Sequence, residues 1–143
     1  MKRLKYFQRN SYQDFKKTFT VDTDASDSGI GGVLSQKNEQ NREQPVAYFS
    51  RTLSKPERRY AVTSKEMLAV VESLKHVRFY VLGRRFLVRT DHSALQWLRN
   101  FKTTVGQMAR LLERLAEYDF EIVQRAGKNH ANADGLSRIP STL

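Results

Sequence analysis

The feature that most constrains this chain is a change of period along it. Three short stretches, "KTFTVDTDAS" (17–26), "GIGGVLSQKN" (29–38) and "PVAYFSRTL" (45–53), carry strand-like patterns and are separated by only a few turn-forming positions. Such close spacing predicts antiparallel hairpins, and so a three-stranded meander. From residue 57 the apolar spacing becomes helical and stays so to Gly83, with Pro56 near its start. Strand character returns at "RRFLVRTDHS" (84–93), and "ALQWLRNF" (94–101) suggests a short helix. An amphipathic helix follows at 105–119, with Met108, Leu111, Leu112 and Leu115 on one side. "FEIVQR" (120–125) is a fifth strand, and 126–139 is a loop followed by a short helix. Strands joined through helices are expected to run parallel. The prediction is an α/β fold: a five-stranded mixed sheet, strands 1–3 an antiparallel meander, strands 4 and 5 parallel to strand 1, with flanking helices. Phe79, Tyr80 and Trp97 are assigned to its core.

The 143 residues suffice for one domain. The division expected is a basic, poorly ordered leader at 1–15, the folded domain at 16–139 and a tail at 140–143. There is no cysteine, which excludes disulfides and thiolate metal sites. No stretch reaches the roughly 18 consecutive apolar residues a membrane span needs. The basic N-terminus lacks the apolar middle of a secretory signal. Lys and Arg number 25 against 15 Asp and Glu, a net charge of +10. That surplus favours a polyanionic partner, because each neutralised phosphate releases condensed counterions.

Against this background four carboxylates occupy unusual positions. Asp24 ends the first strand and Asp91 the fourth, so parallel neighbours would bring both out at one sheet edge, where α/β sites form. Glu66 lies on the helical row Val62, Glu66, Val70, Leu74, which is otherwise apolar, and a charge there is costly unless it is paired or binds metal. Asp134 opens the last helical segment. Each residue alone has a plainer explanation: a turn for Asp24, a helix N-cap for Asp91 or Asp134, an ion pair for Glu66. Together they suit Mg²⁺ or Mn²⁺, which prefer oxygen ligands. Two such ions about 4 Å apart support phosphodiester hydrolysis without a protein nucleophile.

The segments "VDTDASDSGIGGVLSQ", "PVAYFSRTLSKPERRYAVTSKEMLAVVESLKHVRFYVLG", "FLVRTDHSALQWL" and "EYDFEIVQRAGKNHANADGLSR" resemble the ribonuclease H domain of reverse transcriptases from gypsy-type LTR retrotransposons. The resemblance covers residues 15–139. It implies a ribonuclease H-like fold and hydrolysis of the RNA strand of RNA–DNA hybrids with two metal ions. It places the ligands at Asp24 of "TDAS", Glu66 of "SKEMLA", Asp91 of "RTDHS" and Asp134 of "NADGLSR". Asp22 is then structural, and His92 belongs to local structure. Gln124 stands where relatives often carry a histidine associated with product release, with His130 the candidate substitute. A polymerase part in the parent polyprotein and an intracellular setting, in a cytoplasmic retroelement particle or the nucleus, are implied as well. The alternative is a catalytically weak nucleic-acid-binding remnant.

A ribonuclease H must distinguish RNA by its 2′-hydroxyl, read across a wide, shallow minor groove. Ser26 and Arg125 are the candidate substrate contacts. Arg51, Arg58, Arg59, Arg84, Arg85, Lys102 and Lys128 are further cations available to phosphates.

Overall fold

The computed structural model describes residues 5–9, 14, 16–91 and 107–124. The predicted strands are present as β2 (Thr20–Ala25), β3 (Gly29–Lys37), β4 (Glu43–Thr52), β5 (Arg85–Thr90) and β6 (Asp119–Gln124). β2, β3 and β4 form the antiparallel meander, and β5 and β6 run parallel to β2. A sixth strand, β1 (Lys5–Arg9), lies inside the segment read as a leader. It pairs antiparallel with β4, Lys5 opposite Arg51 and Arg9 opposite Ala47, and the sheet order is β1-β4-β3-β2-β5-β6. Without it the edge of β4 would present a row of unpaired backbone groups.

The helical stretch predicted over 57–83 is divided. It comprises α1 (Lys55–Arg58), α2 (Val62–His76) and α3 (Arg78–Val81). Ser54 caps α1 in a reciprocal box with Glu57, Ala61 before α2 is extended, and Val77 leaves helical geometry at φ −105°, ψ 15°. These breaks escape a reading by period because the residues in them tolerate a helix. Gly83, at φ 82°, takes the left-handed conformation that glycine adopts without strain and turns the chain into β5. Tyr80 is buried as expected, together with its neighbour Val81, but Phe79 is 74% exposed, because it falls on the outward side of this short helical turn. The 105–119 helix is α4 (Gln107–Leu115), with Leu115 buried against the core. The side chains of Met108, Leu111 and Leu112, the helix expected at 94–101 with Trp97, and the segment 126–139 lie outside the described residues.

The core lies between the sheet and α2. Val21, Leu34, Phe49, Met67, Val70, Leu74, Phe86 and Val88 are buried in it, each contributing about 1.5–3 kcal/mol. The ring of His76 stacks on Phe49 at 4.0 Å. Gly32 of β3 lets α2 approach closely: a Cβ there would stand 2.7 Å from the Cβ of Ser73 and nearer still to its hydroxyl.

A charged network ties β4 to α1 and α2. The buried guanidinium of Arg51 donates to both oxygens of Glu57, at 2.8 and 3.1 Å, and lies 3.8 Å from Glu72. Burial opposes ionisation of Glu57, but Arg51 and the Ser54 N–H outweigh it and push the carboxyl from 4.5 down to about 2. A depressed carboxyl contributes stability above its unfolded value and loses it as pH falls toward the folded one. The stability gap between the native chain and Glu57→Gln is therefore expected to be full above pH 4.5 and to shrink toward pH 2. Thermal unfolding of both proteins across this range measures it, and a constant gap would refute it.

Candidate metal and nucleic-acid site

The two central strands share a sequence pattern. Val21-Asp22-Thr23-Asp24 in β2 and Val88-Arg89-Thr90-Asp91 in and just after β5 differ only at the second position. In both, Val and Thr are buried and the residues between and after them are half-buried, as strand alternation requires. The parallel register pairs Val21 with Val88 and Asp22 with Arg89. Carried two residues further, it sets Asp24 beside Asp91, on strands about 4.8 Å apart. Asp24 is fixed locally, because its Oδ1 accepts the Ala25 N–H at 3.0 Å.

Glu66 is buried in the first half of α2. That part of the helix lies by the β2–β3 turn, where Lys65 Nζ donates to the Asp27 carbonyl at 3.3 Å. α2 packs over the Thr23 face of the sheet, since Thr23 is paired with Gly32 and Gly32 meets Ser73. By alternation Asp24 belongs to the opposite face. Glu66 thus comes to the same end of the sheet from the helix side. Among the described residues no three Asp, Glu or His side chains form a group able to hold a metal ion. The aspartates are brought to one edge, Glu66 lies on the helix side of that end, and Asp134 is outside the described residues. An all-carboxylate set at one sheet end fits a hard divalent cation in donor chemistry.

A shallow groove of about 350 Å³ opens beside Asp24, lined by Ser26, Gly29, Gly31, Ser50 and Thr52. Ser26 is exposed in it, but its hydroxyl braces the turn: it accepts the N–H of Gly29 at 3.1 Å and of Ser28 at 3.4 Å. Its role as a substrate contact therefore competes with a local one. Arg51 is withdrawn from the phosphate candidates by the network with Glu57 and Glu72. Arg58 and Arg59 are exposed, whereas Arg85 is exposed and bridges to Asp119 at 2.8 Å. Gln124 ends β6 opposite Thr90, exposed and one strand from Asp91. Arg125, His130, Lys102 and Lys128 lie outside the described residues.

Sequence reasoning missed the use made of Asp22 and Arg89. Arg89 Nε and Nη2 donate to Asp22 Oδ1 and Oδ2, each at 2.7 Å, and Nη2 also donates to Glu43 at 2.7 Å. Burial opposes the charge of Arg89, but these bonds prevail and raise its pKa above that of an ordinary arginine. The Arg89 hydrogen bond lowers that of Glu43. The repeated Val-x-Thr-Asp pattern, with opposite charges at its variable position, is the signal that could have revealed the pair.

Residues 14–118 match the family model of the RNase H-like domain found in reverse transcriptase. The chain is 44% identical over 126 residues to the Retrovirus-related Pol polyprotein from transposon 297 of Drosophila melanogaster, covering 88% of this chain and 11% of that one. It is 40% identical over 130 residues to the Transposon Tf2-3 polyprotein of Schizosaccharomyces pombe, covering 88% and 10%. The chain thus spans about a tenth of the length of these curated relatives. Among solved structures, the foamy viral protease–reverse transcriptase in complex with RNA/DNA hybrid aligns with a TM-score of 0.60 at 17% identity, over 92% of this chain and 18% of that one. LC11-RNase H1 in complex with RNA/DNA hybrid aligns with a TM-score of 0.50 at 15% identity, over 82% and 91%. At such identities these two likenesses establish the ribonuclease H-like fold. The family match and the polyprotein relatives go further: this chain belongs to the RNase H-like domains of reverse transcriptases, among those of LTR-retrotransposon Pol polyproteins.

Proposed function

We propose that this domain hydrolyses the RNA strand of RNA–DNA hybrids during reverse transcription, with two Mg²⁺ or Mn²⁺ ions held by Asp24, Glu66, Asp91 and Asp134. The observation that carries the reading is the placement of Asp24 and Asp91 at the carboxyl ends of adjacent parallel strands. When bound, the ions supply Lewis acidity at the scissile phosphate and lower the pKa of water. The chain's own residues do the rest. Asp24 and Asp91 present oxygens at one edge, with Asp24 oriented by the Ala25 N–H. The groove past Gly29 and Gly31 gives the RNA strand a path to that edge, and the +10 charge favours the phosphate backbone. A polymerase part in the parent polyprotein, and a cytoplasmic retroelement particle as the setting, belong to the same reading.

The test is an end-labelled RNA–DNA hybrid incubated with the chain and Mg²⁺ or Mn²⁺. RNA-strand products are expected, dependent on divalent metal, with duplex DNA left intact. The exposed Gln124 at the end of β6 favours a second reading, a domain that binds hybrid but turns over poorly. Binding without cleavage under both metals would establish that reading and sink the first.

A further inference from the structure

Resting on that assignment of Asp24 and Asp91, we propose that Arg89 is a positioning residue whose forked bond to Asp22 sets the separation of the two metal-binding aspartates. The paired register of β2 and β5 ends at Asp22 and Arg89. Their ion pair therefore clamps the two strands where the paired register ends, with the carboxylates about 6.7 Å further along. It lies on the same face as they do, because Asp22 and Asp24, and Arg89 and Asp91, are two residues apart. Two aspartates side by side repel each other and drive the strand ends apart. A guanidinium bonded through two nitrogens to one carboxylate resists that splaying in a way a single bond does not. Glu43 holds the fork from a second direction, and both members of the Arg89–Asp22 pair are only 24% exposed.

The role is geometric rather than a matter of charge. Arg89 brings one positive charge to two carboxylates, Asp22 and Glu43, so it does not neutralise Asp24 and Asp91. Removing Arg89 alone would make the edge more negative and strengthen cation binding by field. Loosening the strands would weaken it. The double variant Asp22→Asn with Arg89→Met preserves net charge and isolates the second effect.

The experiment is calorimetric titration of the full chain with Mn²⁺, together with hybrid binding measured in chelator and thermal unfolding of each variant. The double variant is expected to bind Mn²⁺ about 10- to 100-fold more weakly, the range for lost outer-shell partners. Its hybrid affinity in chelator should be unchanged. Arg89→Lys, which keeps the charge and loses the fork, should fall between. Unchanged Mn²⁺ affinity in both folded variants, with Asp24→Asn losing it, would overturn the role of Arg89 alone. Unchanged Mn²⁺ affinity in Asp24→Asn would overturn the metal assignment, and this proposal with it.

Discussion

Asp24→Asn is expected to slow hydrolysis of the RNA strand by about 100- to 1,000-fold, because a metal-held charge contributes several kcal/mol at the transition state and each 1.4 kcal/mol is tenfold in rate. The fold should survive. The Asp24 oxygen that accepts the Ala25 N–H remains an acceptor in asparagine, so the local hydrogen bond is kept while the charge is lost. Asp91→Asn should behave alike, since Asp91 follows β5 at the corresponding place. Single-turnover cleavage of a labelled hybrid, paired with a thermal melt, measures both halves of this expectation. Full activity in Asp24→Asn would remove the residue from the site.

The largest expected effect on stability comes from a position with no side chain. Gly32→Ala places a Cβ 2.7 Å from the Cβ of Ser73, an atom fixed to the backbone of α2 and unable to rotate away. The helix must lift or β3 must bend. Overpacking of this kind costs about 3 kcal/mol, which lowers the unfolding midpoint of a chain this size by about 10 °C. Adding Ser73→Gly removes the obstruction at a cost of about 0.5 kcal/mol in helix propensity. The double variant should therefore be more stable than the two separate losses predict, and strict additivity in thermal unfolding would show that the contact is not the cause.

The meander, the parallel pair and the two helical regions were legible in the sequence because their periods differ and their turns are short. The same logic put Asp24 and Asp91 at strand ends, and the register agrees. Features that depend on partners distant in sequence were not legible. Arg51 reads as a surface cation until Glu57 and Glu72 are seen around it, and Asp22 reads as structural with no identified partner until Arg89 is found opposite. The strand in 1–15 was missed because "KYFQR" is too short to declare itself, and pairing with β4 is what makes it a strand. Ser26 was identified by proximity to Asp24, but its turn hydrogen bonds follow only from the backbone of the β2–β3 hairpin.

The parallel neighbours at the centre of the sheet have a consequence for timing. Asp22 and Arg89 stand 67 residues apart along the chain, so their strands cannot zip together locally as a hairpin does. The meander can form early from near contacts, whereas β5 must wait for α2 to cross the sheet and return the chain. The two aspartates therefore meet only when most of the domain is in place. On the proposed function, a half-folded or newly emerging chain carries the residues of the site but not the site, and competence to cut would arrive together with completion of the fold.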